Sequence, residues 1–126
     1  NETKIISWIS SFCKKEGFII DSLVFAFFND DDLKDLNVRF LSHDFYTDVI
    51  SFDESNNSFI KGNIAISVDR VKDNASTFTS LFDDELKRVI IHGVLHLMGF
   101  NDKTDEEKSL IREKEDTAIE MFHVKQ

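Results

Sequence analysis

The stretch from Asp84 to Met98 constrains this chain more than any other. On a 100° wheel Leu86, Val89, Ile90, Ile91, Gly93, Val94, Leu95, Leu97 and Met98 cover most of the circumference. A helix that is apolar on nearly every side has to be enclosed, so the rest of the chain must wrap it. With 126 residues, 41% of them hydrophobic and 31% charged, there is material for one such core and one domain, 1–126. The same proportions argue against disorder. Two polar residues, His92 and His96, interrupt the apolar surface on one narrow stripe.

The remaining segments read as smaller elements around this helix. Ile5, Trp8, Ile9 and Phe12 recur at helical spacing within residues 2–16, and Gly17 ends that helix. The continuous apolar run Leu23 to Phe28 predicts a strand buried on both faces. Asn29 to Asp32 can cap a helix reaching about Phe40. Asp48 to Phe52 is a short β-branched strand, 53–58 a polar loop, and Gly62 to Val68 alternates with strand period. Asp69 to Ser80 starts helical and becomes irregular. Asp83 is expected to cap the central helix and Gly99 to stop it. Thr104 to Glu107 forms a capping box that opens a last helix to about His123. The order α-β-α-β-β-α-α-α predicts an α+β (or mixed α/β) fold, a small mixed sheet packed with helices around the central one.

Chemistry concentrates in His92-Gly93-Val94-Leu95-His96-Leu97-Met98-Gly99-Phe100-Asn101-Asp102. Histidines at i and i+4 point the same way, so their nitrogens can meet on one ion. The chain turns back at Gly99, and Asp102 can close a third corner. Two unpartnered buried imidazoles would be costly, which favours a shared cation over a pair of core histidines. Three protein ligands and an open position are the layout of a catalytic zinc site. The expected cofactor is therefore one Zn2+, or another divalent ion, on His92, His96 and Asp102. Position 93 is Gly, so the Glu base of the zincin metalloproteases is absent.

His92 to Phe100 resembles the signature of the YbeY family of metal-dependent single-strand endoribonucleases. Leu36-Asn37, Phe40, Asp44 and Thr47 to Phe52 resemble that family's upstream block, and Gly62 to Ser67 its Gly-Asp-Ile strand. The resemblance covers about residue 18 onward. It implies a role in maturing ribosomal RNA, with single-stranded RNA as partner and the ribosome or a ribosome-associated GTPase as a further one. Two positions depart from the family pattern. The family's third ligand is a His, where this chain has Asp102, and its upstream arginine is replaced by Leu41. The resemblance carries the catalytic arginine role onto Arg39, the nearest arginine, which otherwise reads as a surface salt-bridge residue; His43 and Lys61 are further candidates. The expected cleft runs between strand Asp48 to Phe52 and the central helix. Ser51 and Thr47 there are either phosphate contacts or structural strand residues, and Asp48 is expected to orient a turn or a ligand histidine.

A net charge of −9 opposes nucleic-acid binding unless positive charge gathers at one cleft. Two other readings therefore stand beside the nuclease: a metallohydrolase of another substrate class, and a metal-stabilised ribosome-associated binding module. The single cysteine, Cys13, rules out an internal disulfide and reads as a buried structural thiol. With no signal peptide and no apolar run near the ~20 residues of a membrane span, a cytoplasmic, non-membrane protein is expected. The 13 phenylalanines against one Trp and one Tyr read as compositional bias rather than as an aromatic binding surface.

Overall fold

The computed structural model describes residues 2–124. Its elements follow the expected order: α1 (Glu2–Lys15), β1 (Ile19–Phe28), α2 (Asp30–Leu41), β2 (Val49–Asp53), β3 (Phe59–Ser67), α3 (Val68–Thr77), α4 (Phe82–Leu97) and α5 (Asp105–Val124). The sheet has three strands in the order β1-β3-β2. β1 runs parallel to β3, and β2 runs antiparallel to it, so the sheet is mixed and the fold α+β.

α4 is the enclosed helix. Val89, Ile90, Ile91, Gly93, Val94, Leu95 and Leu97 are buried, and they meet Trp8, Phe12, Ile60, Ile64, Ile66, Val71, Ile111 and Ala118 in one core. Its start differs from expectation. Leu81, not Asp83, holds the N-cap position and makes no side-chain cap bond. Asp83, Asp84 and Glu85 instead fill the first turn, where negative charge meets the positive end of the helix dipole. The capping box of α5 is present as expected. Thr104 N donates to Glu107 Oε1 at 3.0 Å and Glu107 N donates to Thr104 Oγ1 at 3.1 Å. Ser67 caps α3 by accepting from Arg70 N at 3.1 Å.

The expectation that 23–28 is buried on both faces is corrected. β1 is an edge strand; Val24 and Phe27 are about half exposed, while Leu23 and Phe25 face the main core. The doubly covered stretch is the second half of β3, where Ile64, Ala65, Ile66 and Ser67 are buried in succession; its first half alternates, with Ile60 buried between exposed Phe59 and Lys61. The cause is the cover available on each face. α1 and α4 pack on one side, whereas α2 shields only a short stretch of the other with Leu33 and Leu36 against Ile50, Ala65 and Phe28. Cys13 is fully buried in α1, and burial pushes its thiol up to about 12, so it is inert at neutral pH.

Candidate metal centre

Local chain geometry brings His92, His96 and Asp102 together. One turn of α4 separates the two imidazoles, and the helix ends with Met98 at the C-cap and Gly99 at φ 100°. That left-handed residue lets Phe100 N return to Leu95 O at 3.1 Å, and the chain then swings Asp102 over the histidines. His92 Nε2 lies 3.0 Å from His96 Nε2 and 3.3 Å from Asp102 Oδ2, and His96 Nε2 lies 3.7 Å from Asp102 Oδ2. Tetrahedral bonds of 2.0–2.2 Å place ligand atoms roughly 3.3–3.6 Å apart, so the triangle has the size a small divalent ion requires.

The groups behind the histidines fix which atoms face the triangle. His96 Nδ1 is 3.0 Å from the Phe100 carbonyl, which can only accept, so Nδ1 carries the hydrogen and Nε2 presents a lone pair. His92 Nδ1 donates in the same way to Glu115 Oε2 at 2.7 Å. Glu115 is buried and is held in turn by Arg88 Nη1 at 2.9 Å, while Arg88 Nη2 reaches Asp116 at 2.9 Å. Two lone pairs and a carboxylate oxygen thus converge on one point, an arrangement that calls for a cation. Burial opposes charge on His92, but the Glu115 hydrogen bond and charge, with Asp48 and Asp102, outweigh burial and raise its pKa. Burial and the charge of His92 lower the pKa of His96.

A cavity of about 610 Å³ opens beside the trio. Its walls come from the α3–α4 connection (Phe78, Ser80), α4 (Glu85, Arg88) and α5 (Lys108, Arg112), with Asp48 also facing it. The cleft therefore runs from the metal centre toward the start of α4, not along strand β2 as expected. Ser51 explains part of that difference: its hydroxyl donates to Gly93 O at 2.9 Å and ties β2 to α4. Thr47 Oγ1 bonds to Val49 O at 3.4 Å, so it serves the strand as well. Asp48 accepts from Asn74 Nδ2 at 3.2 Å and adds negative charge to the field of His92; burial raises its own pKa.

Arg39 is exposed on α2, 3.4 Å from Asp35, and is not among the residues that line the cavity. His43 stacks on Phe45 at 5.1 Å, and Lys61 points outward from β3; neither lines the cavity. The cations that do are Arg88, Lys108 and Arg112. Sequence reasoning missed these three and Glu115. A signal for Glu115 was present, since it falls at i+4 from Ile111 on the packing stripe of α5, where an unpaired carboxylate would be costly.

An α+β fold in which a buried helix and the turn after it converge two imidazoles and a carboxylate, each imidazole braced from behind, defines a metallohydrolase-type centre. The family profile described as Endoribonuclease YbeY matches residues 2–123, and the chain belongs to that family. Proteins named Endoribonuclease YbeY from Christiangramia forsetii and Flavobacterium psychrophilum are each 46% identical to it. The first alignment covers 95% of this chain and 84% of the relative, the second 99% and 89%. The solution structure of TM1509 from Thermotoga maritima superposes with a TM-score of 0.66 at 28% identity, over 94% of this chain and 78% of that one. Among the described residues, no helix is long and apolar enough to cross a membrane.

Proposed function

We propose that this chain is a metal-dependent endoribonuclease acting on single-stranded RNA, with ribosomal RNA as its substrate and the cytoplasm as its place of work. One divalent ion, zinc in the first instance, is held by His92, His96 and Asp102 within a single domain. The observation that carries this reading is the convergence of three acceptor atoms at 3.0–3.7 Å in a chain of the Endoribonuclease YbeY family.

A bound ion would supply Lewis-acid charge to a phosphoryl oxygen of the substrate. The chain's own part is positional. Glu115 and the Phe100 carbonyl keep both Nε2 lone pairs turned inward. Gly99 sets the turn that delivers Asp102. Asp102 brings negative charge where the family pattern has a neutral His, which weakens the Lewis acidity of the centre and favours harder metals. Lys108 and Arg112 stand along the cavity and take over the phosphate-binding part first assigned to Arg39. Arg88, Lys108 and Arg112 face four carboxylates across the cavity, Asp48, Glu85, Asp102 and Glu115, so a bound divalent ion would be needed to make the cleft net positive against the overall charge of −9.

The test is metal content by elemental analysis, paired with single-stranded RNA cleavage on the same samples, for the wild type, His96→Ala and Asp102→Ala. Wild type should carry about one ion and cleave RNA, and both variants should lose both properties. Equal metal in Asp102→Ala would remove that residue from the centre. Wild type that holds metal but cleaves no RNA would overturn the nuclease and leave a metal-stabilised ribosomal binding module, detectable as co-sedimentation with ribosomes.

A further inference from the structure

Glu85 stands apart from the other acidic residues of the cavity. It is 8% exposed, and no described residue hydrogen-bonds or ion-pairs with its side chain. Asp48 has Asn74, Glu115 has Arg88 and His92, and Asp102 has the two histidines. Burial raises the pKa of Glu85 against the opposing charge of Arg88, with the nearby charges of Asp48 and Glu115 adding to the rise. Its carboxylate opens onto the cavity, so its acceptor sites are turned toward whatever ligand occupies that space.

The surroundings define that ligand. Glu85 and His92 are seven residues apart on one stripe of α4, about 10 Å along the axis. That separation suits a scissile phosphate at the metal and the base of an adjoining nucleotide. Phe78 lines the same cavity at the end of α3 and is 66% exposed, a large apolar face with nothing packed over it. On the α5 wall the Lys108 ammonium pairs with no described residue, and Arg112 has only a 4.0 Å contact to Glu115 within its own turn. Single-stranded RNA is read by this combination: an aromatic face for stacking, a buried polar group for the base edge and cations for the phosphate.

We propose that the cavity is a nucleotide subsite selective for guanine, in which Phe78 stacks on the base, Glu85 accepts from its Watson–Crick edge, and Lys108 and Arg112 hold the phosphate. The choice of base follows from the carboxylate, which offers two acceptors and no donor. Guanine alone presents two adjacent N–H donors on that edge. Adenine and cytosine place a ring acceptor beside their amino group, and uracil flanks its one N–H with carbonyls. The inference rests on the nuclease reading for its biological sense, but its binding test does not need cleavage.

The test titrates the metal-loaded chain with GMP, AMP, CMP and UMP by calorimetry. Wild type should bind GMP about tenfold or more tighter than the other three. Glu85→Gln should abolish that preference, because an amide places a donor against one of the guanine N–H groups. Phe78→Ala, at an exposed position with little folding risk, should weaken all four about tenfold. On RNA, wild type should cut next to guanine, and Glu85→Gln should lose that bias. Equal affinity for the four nucleotides, an unchanged preference in a folded Glu85→Gln, or no mononucleotide binding would overturn the proposal. A guanine preference in protein that cleaves no RNA would overturn the nuclease reading and leave the subsite standing.

Discussion

Glu115 shows how a residue that cannot touch the metal can still govern it. Its bond to His92 Nδ1 holds the ring and raises the basicity of Nε2. Glu115→Gln is therefore expected to lower metal affinity about 10–100-fold, measured by competition with a chromogenic chelator. Asp102→His should restore a three-imidazole set and retain metal where Asp102→Ala does not. The histidines also give the centre a pH dependence of definite sign. Metal and proton compete for His92 Nε2, and the pKa of His92 lies above 6.5 in the metal-free chain. Metal affinity should therefore fall as the pH is lowered through the range where His92 takes its proton, so the dissociation constant at about pH 6 should exceed that at about pH 8. His96, whose pKa is lowered by burial and by the charge of His92, takes a proton less readily than His92 and contributes less to the loss.

At the level of elements, the contact of α4 with the sheet depends on a missing side chain. A Cβ on Gly93 would lie 2.9 Å from Ile64 Cγ2 and 3.2 Å from Val49 Cγ2, and the Gly93 carbonyl takes the Ser51 hydroxyl. Gly93→Ala should cost about 1–3 kcal/mol in urea denaturation, since β2 and β3 cannot retreat without breaking that contact. The same crowding explains why a metalloprotease-type Glu has no place between these two histidines. The turn after α4 is equally specific: an alanine at Gly99, where φ is 100°, would strain the backbone that delivers both the Phe100 carbonyl and Asp102. Thr104→Ala removes half of the capping box of α5 and should cost about 1 kcal/mol, read from the thermal midpoint.

The metal centre joins α4 to the loop before α5, and Glu115 and Arg88 continue the link into α5 itself. Ion binding should therefore stabilise the whole chain, by about 2.7 kcal/mol at a free metal concentration 100 times the dissociation constant. A chelator should lower the melting temperature by the corresponding amount, and re-added metal should restore it. How much of this is legible in the sequence depends on how far apart the partners lie in the chain. His92, His96 and Asp102 span eleven residues, within which helix period and one left-handed glycine settle their relative positions, so the trio and the enclosure of α4 were legible from the pattern alone. Helix ends at α1, α2 and α5 were readable for the same reason; α3 starts at Val68 under a Ser67 cap where the strand was expected to run on, and at α4 Leu81 occupies the cap and the acidic residues act through the dipole. The face exposure of β1, the Glu115–Arg88 brace and the cavity walls depend on which elements pack together. An apolar run such as Leu23 to Phe28 looks the same whether one face is covered or two. Glu115 lies 23 residues from His92, and Phe78, Glu85 and Lys108 meet only across three helices. Such long-range placement comes from competition among packing arrangements for the same apolar surface, and local propensity carries no record of it.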